Sequence, residues 1–164
     1  MKIQDLLDSW DRQCAIIDDL AELVTEENRN QKPSHDGMSL DMQLCHIHET
    51  RYYWLSQVSQ EAADEVPSAV KQVGDDWLPL ENLDDIRKLL RISSHAIRQI
   101  TQEHIEKETA PLGPYDHPAL FLQHMVWHEG YHAALILLGL RLAGCEPDEE
   151  WEDQHIWGRW RNYG

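Results

Sequence analysis

Two histidines four residues apart, His128 and His132, stand in the run Trp127-His128-Glu129-Gly130-Tyr131-His132. On a helix that spacing places both side chains on one face, a turn apart. Two imidazoles can then reach one metal ion from a single helix. With Glu129 between them the run matches HExxH, which supplies two zinc ligands and a general base in metalloproteases. A peptidase would need a strand to align its substrate, and the sequence has no convincing strand pattern; Gly130 is also unusual inside that motif. The plain alternative is a pair of core-edge histidines bonded to water or backbone. His124 lies one turn before His128 and about 40° round from it. His124 and His117 are candidates for a supporting role, with a helix-start or solvent histidine the simpler reading of His117.

A catalytic ion of this kind needs a third protein ligand and an open position. The candidates lie in Cys45-His46-Ile47-His48-Glu49. The apolar stripe Leu40, Leu44, Ile47, Leu55, Val58 centres closer to His48, so periodicity slightly favours His48 over His46. Cys45 is weaker, because a lone buried cysteine usually serves packing.

These residues need helices to position them. Ile3 to Glu27 reads as the first, with apolar steps of three and four through Leu6, Leu7, Trp10, Cys14, Ile17 and Val24. Asn28 to Gly37 is a polar loop containing Pro33. Ser39 caps a second helix reaching about Ser59. Gln60 to Leu80, with Pro67, Gly74 and Pro79, reads as a long crossover loop with one helical turn; such loops often border a site. Asn82 caps a third helix to about Glu108, which Pro111, Gly113 and Pro114 end. Pro118 opens a fourth to about Ala143, stopped by Gly144. Its stripe Phe121, Met125, His128, His132, Leu135, Gly139, Leu142 puts both histidines on the apolar side. A tail follows with Trp151, Trp157 and Trp160, read as packing onto the helices or as a lid over the pocket. Arg159 and Arg161 there read as surface salt bridges, or as a seat for a substrate carboxylate. The expectation is an all-α, single-domain four-helix bundle over residues 1–164, with a long crossover loop after helix 2 and a Trp-rich C-terminal tail.

Composition limits the function. Of 164 residues 14 are basic and 30 acidic, giving a net charge of -16 that repels phosphate backbones and argues against nucleic-acid partners. No apolar run is long enough to span a membrane, and Met1 to Asp5 lacks a signal-peptide pattern. Cys14, Cys45 and Cys145 show no CxxC spacing, which suits reduced thiols in the cytoplasm. Ten histidines stand against one phenylalanine, which modestly favours a metal site.

Two segments carry a resemblance. One is Met38-Ser39-Leu40-Asp41-Met42-Gln43-Leu44-Cys45-His46-Ile47, followed by Trp54-Leu55; the other is Val126-Trp127-His128-Glu129-Gly130-Tyr131-His132. In order and separation they resemble the DinB/YfiT-like family of four-helix metal-binding proteins, itself similar to the mycothiol-dependent isomerases and bacillithiol transferases. The chain departs from the pattern at Met38, where Trp is frequent, at His48, and in the Trp-rich tail. The resemblance implies His46, His128 and His132 as ligands of a divalent ion (zinc, nickel, iron or manganese). It also implies a metal-bound thiolate of a low-molecular-weight thiol attacking a small electrophilic substrate, in detoxification or stress, and a homodimer formed through helix faces. A hydrolase using metal-activated water, with Glu129 or His124 near the nucleophile, and a non-enzymatic metal-binding stress protein are the other two readings.

Overall fold

The structure, a computed structural model, describes residues 3–109 and 111–161. The Met1-Lys2 part of the N-terminal reading and the last three residues of the tail lie outside the described residues. The chain is mainly helical. In order it forms α1 (Ile3–Leu23), α2 (Leu40–Val58), α3 (Gln60–Asp64), β1 (Val70–Val73), β2 (Asp76–Pro79), α4 (Leu83–Glu106), α5 (Pro118–Leu142) and α6 (Glu149–Glu152). No helix among the described residues is long and apolar enough to cross a membrane.

The four long helices α1, α2, α4 and α5 pack on one another, α2 against α4 and α5, and α1 against the same two. Their apolar stripes make two clusters. One gathers Ile17, Leu20, Leu44, Ile47, Ile86, Leu90, Ile136 and Leu140. The other gathers Leu7, Trp10, Leu55, Ile97, Phe121 and Met125. The sequence positions between these two sets carry Cys14, Arg51, Ser93 and Glu129, a polar level across all four helices. Burying those polar groups is tolerable only because they bond one another.

Several boundaries fall where side-chain chemistry puts them. Asn82 accepts from the Asp84 N–H at the start of α4. Pro118 opens α5, where its missing N–H costs nothing. Gly144 has φ +72° after α5, the left-handed conformation glycine tolerates best. Ser39 sits at the N-cap of α2, but its hydroxyl donates to Asp41 Oδ1 at 2.5 Å and makes no cap bond itself; Asp41 Oδ1 instead accepts from the Met42 N–H at 2.7 Å. α1 ends at Leu23, a turn earlier than its periodicity suggests. Asn28 draws the chain into a turn by accepting from the Thr25 N–H at 2.8 Å and donating to Leu23 O at 2.9 Å.

The crossover after α2 contains its helical turn, α3, and also a hairpin that the sequence reading missed. β1 and β2 pair antiparallel from Val70↔Pro79 to Val73↔Asp76, around a two-residue turn at Gly74 with φ +65°. The strands are mostly exposed and carry no apolar alternation, so the only signal was Gly-Asp between two short runs. Glu49 pins this segment to α2, accepting from the Ala69 N–H at 2.7 Å and the Ser68 hydroxyl at 2.8 Å.

Candidate metal centre

The three histidines named by the resemblance come together. His46 on α2 and His128 and His132 on α5 each offer one nitrogen, and these nitrogens lie within 4.8 Å of one another. Their ring centroids are 5.3 Å (His46–His128), 4.6 Å (His46–His132) and 4.5 Å (His128–His132) apart. His132 is buried, while His46 and His128 are half-buried and leave one side of the group towards solvent. Among the described residues this is the one such cluster of three or more histidine, cysteine or carboxylate groups.

Two features bring α2 and α5 close enough. Gly139 lies two turns beyond His132, and a Cβ there would stand 2.5 Å from Leu40 Cδ2. The missing side chain lets the helices approach near the start of α2. Further along, Arg51 Nε donates to Glu129 Oε1 at 2.7 Å, with both side chains almost fully out of water. Arg51 also donates to Leu90 O at 2.7 Å and to the Ser93 hydroxyl at 3.3 Å, so α4 joins the same level.

His132 is held in a definite tautomer. Its Nδ1 lies 2.6 Å from Gln43 Oε1, and Gln43 is itself buried. An amide oxygen only accepts, so the proton sits on Nδ1 and Nε2 keeps its lone pair. Gln43 turns that way because its Nε2 donates to Met38 O at 3.4 Å. Such a partner behind a ligating imidazole fixes the ring and raises its basicity. Beside His128, the Thr50 hydroxyl stands 3.5 Å from Nε2.

The electrostatics keep the rings neutral. Burial, with the neighbouring histidines adding to it, pushes His132 down to about 3 and His128 down to about 4. His46 is lowered by burial too, against a smaller opposing effect of Glu49. Three neutral imidazoles, each with a ring nitrogen within 4.8 Å of the others, are a borderline nitrogen donor set, which fits a divalent zinc, nickel, iron or manganese ion. The group could hold one metal ion with a position left open.

The remaining candidates fall elsewhere. His48, which periodicity favoured, is fully buried, with Nδ1 3.0 Å from Leu89 O and Nε2 2.8 Å from Pro67 O. Periodicity located the core, and His48 is in it; a ligand with an open side belongs at the core's edge, where His46 lies. Cys45 is buried with its thiol on Ala69 O at 3.2 Å, and burial pushes it up to about 12, so it stays a packed thiol. His117 caps α5 by accepting from the Ala119 N–H at 3.0 Å, the helix-start role expected of it. His124 bonds Tyr115 Oη at 2.6 Å. Glu129 is committed to Arg51 inside the core and does not face the histidines as a general base.

The tail lies along α1. His155 and Arg159 both reach Asp19, at 3.0 and 2.5 Å, and Arg12 donates to Arg159 O. Arg161 pairs with Asp153 at 3.2 Å. Trp151 stacks on His155 and packs against the core, as a packing role requires, whereas Trp157 and Trp160, read the same way, are exposed. α1 carries none of the three histidines, so the lid reading of these tryptophans gains no support.

Sequence reasoning also misplaced the buried face of α5. Phe121, Met125, His132 and Gly139 are buried, but so are Leu122, Glu129, Ile136 and Leu140, and the face centres near Glu129 instead of His128. Leu142, placed on the inward stripe, is exposed, together with Leu120, Trp127, Tyr131 and Leu138. A helix apolar all round gives periodicity no direction to report.

Neither the curated proteins nor the solved structures contain a match to this chain. The model of the DinB family matches residues 1–153, covering all four long helices and the three histidines. The chain belongs to the DinB family.

Proposed function

We propose that this protein, a four-helix bundle in one domain, binds a divalent metal ion through His46, His128 and His132. We propose further that it acts as a metal-dependent transferase of a low-molecular-weight thiol onto small electrophiles. The observation that carries this reading is the convergence of three neutral imidazole nitrogens within 4.8 Å. When bound, a divalent ion supplies positive charge that holds a thiol sulfur as thiolate near neutral pH. The protein's own share is positional. Gln43 fixes the His132 tautomer, the Arg51–Glu129 pair sets α2 against α5, and the half-exposed His46 and His128 leave room for a small molecule. Tyr131, edge-on to His132 at 5.1 Å, offers apolar surface beside the group for an electrophile's carbon frame. The reading places the protein in the reducing cytoplasm, in keeping with three free cysteines, with a role in detoxification or stress and with small molecules as partners.

Elemental mass spectrometry of the purified protein tests the first half: about one divalent ion per chain is expected, lost in His128→Ala. The second half is tested with zinc-loaded protein on a panel of aryl halides, epoxides and esters, with and without added small thiols. Turnover that requires the thiol supports the transferase. Ester turnover without thiol turns the assignment to a hydrolase.

A second copy of the chain is the proposed macromolecular partner. Leu120, Trp127, Tyr131, Leu138 and Leu142 line one outward strip of α5 and are 41 to 73% exposed. The strip presents on the order of 600 Å² of mostly apolar surface, near the ~800 Å² per partner of a standard interface. Beside it Arg141 and Glu146 pair with each other, so the charge at the strip's C-terminal end is balanced, which eases the approach of two copies at -16 each. Sedimentation at micromolar concentration should give a dimer, and Trp127→Glu a monomer.

A further inference from the structure

A further imidazole, that of His124 on α5, is held by a partner that neither the helix packing nor the three-histidine group requires. Tyr115 Oη lies 2.6 Å from His124 Nδ1. The tyrosine sits in a built loop. Leu112 and Tyr115 exchange backbone hydrogen bonds, Leu112 N–H to Tyr115 O at 2.8 Å and Tyr115 N–H to Leu112 O at 3.0 Å. Between them Gly113 has φ +55°, and its backbone lies so close to the end of α2 that a Cβ would stand 2.9 Å from Gln57 O. Trp54 of α2 braces the pair edge-on, its ring 5.5 Å from Tyr115 and 5.2 Å from His124. Phe121 closes the other side of the phenol at 5.3 Å. One hydrogen bond on a half-buried histidine does not need this much support.

The pair's position gives it a use. His124 precedes His128 by one turn, so the two Cβ atoms are about 6 Å apart. His124 Nδ1 is spent on Tyr115, and among the described residues Nε2 has no hydrogen-bond partner and is not sealed from solvent. Titratable neighbours are few: His128 on the same helix and Tyr115 on the loop, while α2 presents the uncharged Trp54. Burial pushes the Tyr115 phenol up to about 12, so it keeps its proton at any pH the protein meets. A protonated phenol can donate to a bare Nδ1 or accept from a protonated one. Tyr115 therefore holds the His124 ring in either tautomer.

We propose that His124, oriented by Tyr115, is the general acid–base residue beside the three-histidine centre and exchanges a proton with the ligand at its open side. The step balances simply. In the Nδ1–H tautomer Tyr115 Oη accepts, and His124 Nε2 takes the proton of a thiol or water, leaving the ligand an anion and His124 an imidazolium. The proton returns from Nε2 to the leaving group, and none crosses to the phenol. General acid–base residues of this type contribute typically ~10²–10⁴-fold to rate. The inference rests on the metal-binding reading above.

The test uses the cobalt(II)-loaded protein, whose visible spectrum follows ionisation of the metal's water ligand between pH 5 and 10. The wild type should show a transition whose midpoint rises by about one pH unit in His124→Leu, a tenfold weaker ionisation, and moves in the same direction but less in Tyr115→Phe. Cobalt affinity should stay within threefold in both variants, which a collapse of the site would not allow. Cobalt binding with no transition in the wild type, or midpoints agreeing within 0.3 unit across the three proteins, would overturn the proposal and leave the metal site standing. A variant that loses cobalt affinity assigns its residue to the fold and overturns the proposal too. Failure of the wild type to bind cobalt at all would overturn the metal-binding reading itself.

Discussion

Arg51 and Glu129 form an ion pair inside the protein, Nε to Oε1 at 2.7 Å, with side-chain exposures of 2% and 1%. It joins the two helices that carry the histidines, one turn beyond His46 on α2 and between His128 and His132 on α5. Two charges out of water are tolerated because each is bonded: the guanidinium also reaches Leu90 O and Ser93, and lies 5.2 Å from the Trp10 ring centre. Glu129 Oε2 is left without a protein partner, so all of the carboxylate's direct protein bonding rests on Arg51.

Removing one member leaves the other charge buried and alone. Glu129→Leu should destabilise the protein by ~3–5 kcal/mol in urea denaturation, and the double variant Arg51→Met/Glu129→Leu should recover most of that loss. Equal loss in the single and double variants would mean that the pair is not what holds the two helices together.

The Gln43–His132 hydrogen bond should govern metal affinity without governing the fold. Gln43→Leu frees the His132 ring to rotate and change tautomer, and zinc affinity measured by chelator competition should drop by ~10–100-fold. Gln43→Glu, which puts a carboxylate behind the imidazole, should bind zinc at least as tightly as the wild type.

Gly139 and Gly130 should respond in opposite senses to the same change. A Cβ at Gly139 meets Leu40 at 2.5 Å, whereas one at Gly130 finds nothing within 4 Å. Gly139→Ala should cost ~1–3 kcal/mol from overpacking and weaken zinc binding as α2 is pushed off α5. Gly130→Ala should stabilise by up to ~1 kcal/mol through helix propensity alone. Thermal melts of the two variants beside the wild type make the comparison.

Acid should weaken the metal-free protein through its histidines. His128 at about 4 and His132 at about 3 lie below the ordinary value of 6.5. Over that window the unfolded chain binds protons that the folded state refuses, so stability falls as pH drops from about 6.5 towards 4 and levels off below 3. Melting temperatures in a chelating buffer from pH 8 to 4 should trace that fall, and His132→Gln should flatten it. A wild-type curve parallel to that of His132→Gln would contradict the assignment of these shifts.

How much of this was legible in the sequence depended on what each signal encodes. The four long helices announced themselves through three–four periodicity, Asn82, Pro118 and Gly144, because those features act locally. The His128–His132 pair was legible for the same reason. The partner from α2 was not, since periodicity reports burial and His48 is more buried than His46; order and spacing of the two family segments were needed to point to His46. Arg51, Gln43 and Tyr115 stayed hidden because their importance arises from partners 78, 89 and 9 residues away. The β1–β2 hairpin stayed hidden because its exposed strands bury too little to leave a pattern.

The account's central claim is that one ion sits between His46, His128 and His132, with His48 outside the set. Zinc titration of wild type, His46→Ala and His48→Ala by calorimetry addresses it most directly. One zinc per chain in the wild type, at least a hundredfold weaker binding in His46→Ala, and wild-type affinity in whatever fraction of His48→Ala remains folded are the predicted results. Full-affinity binding in His46→Ala, or no binding in the wild type, would contradict it.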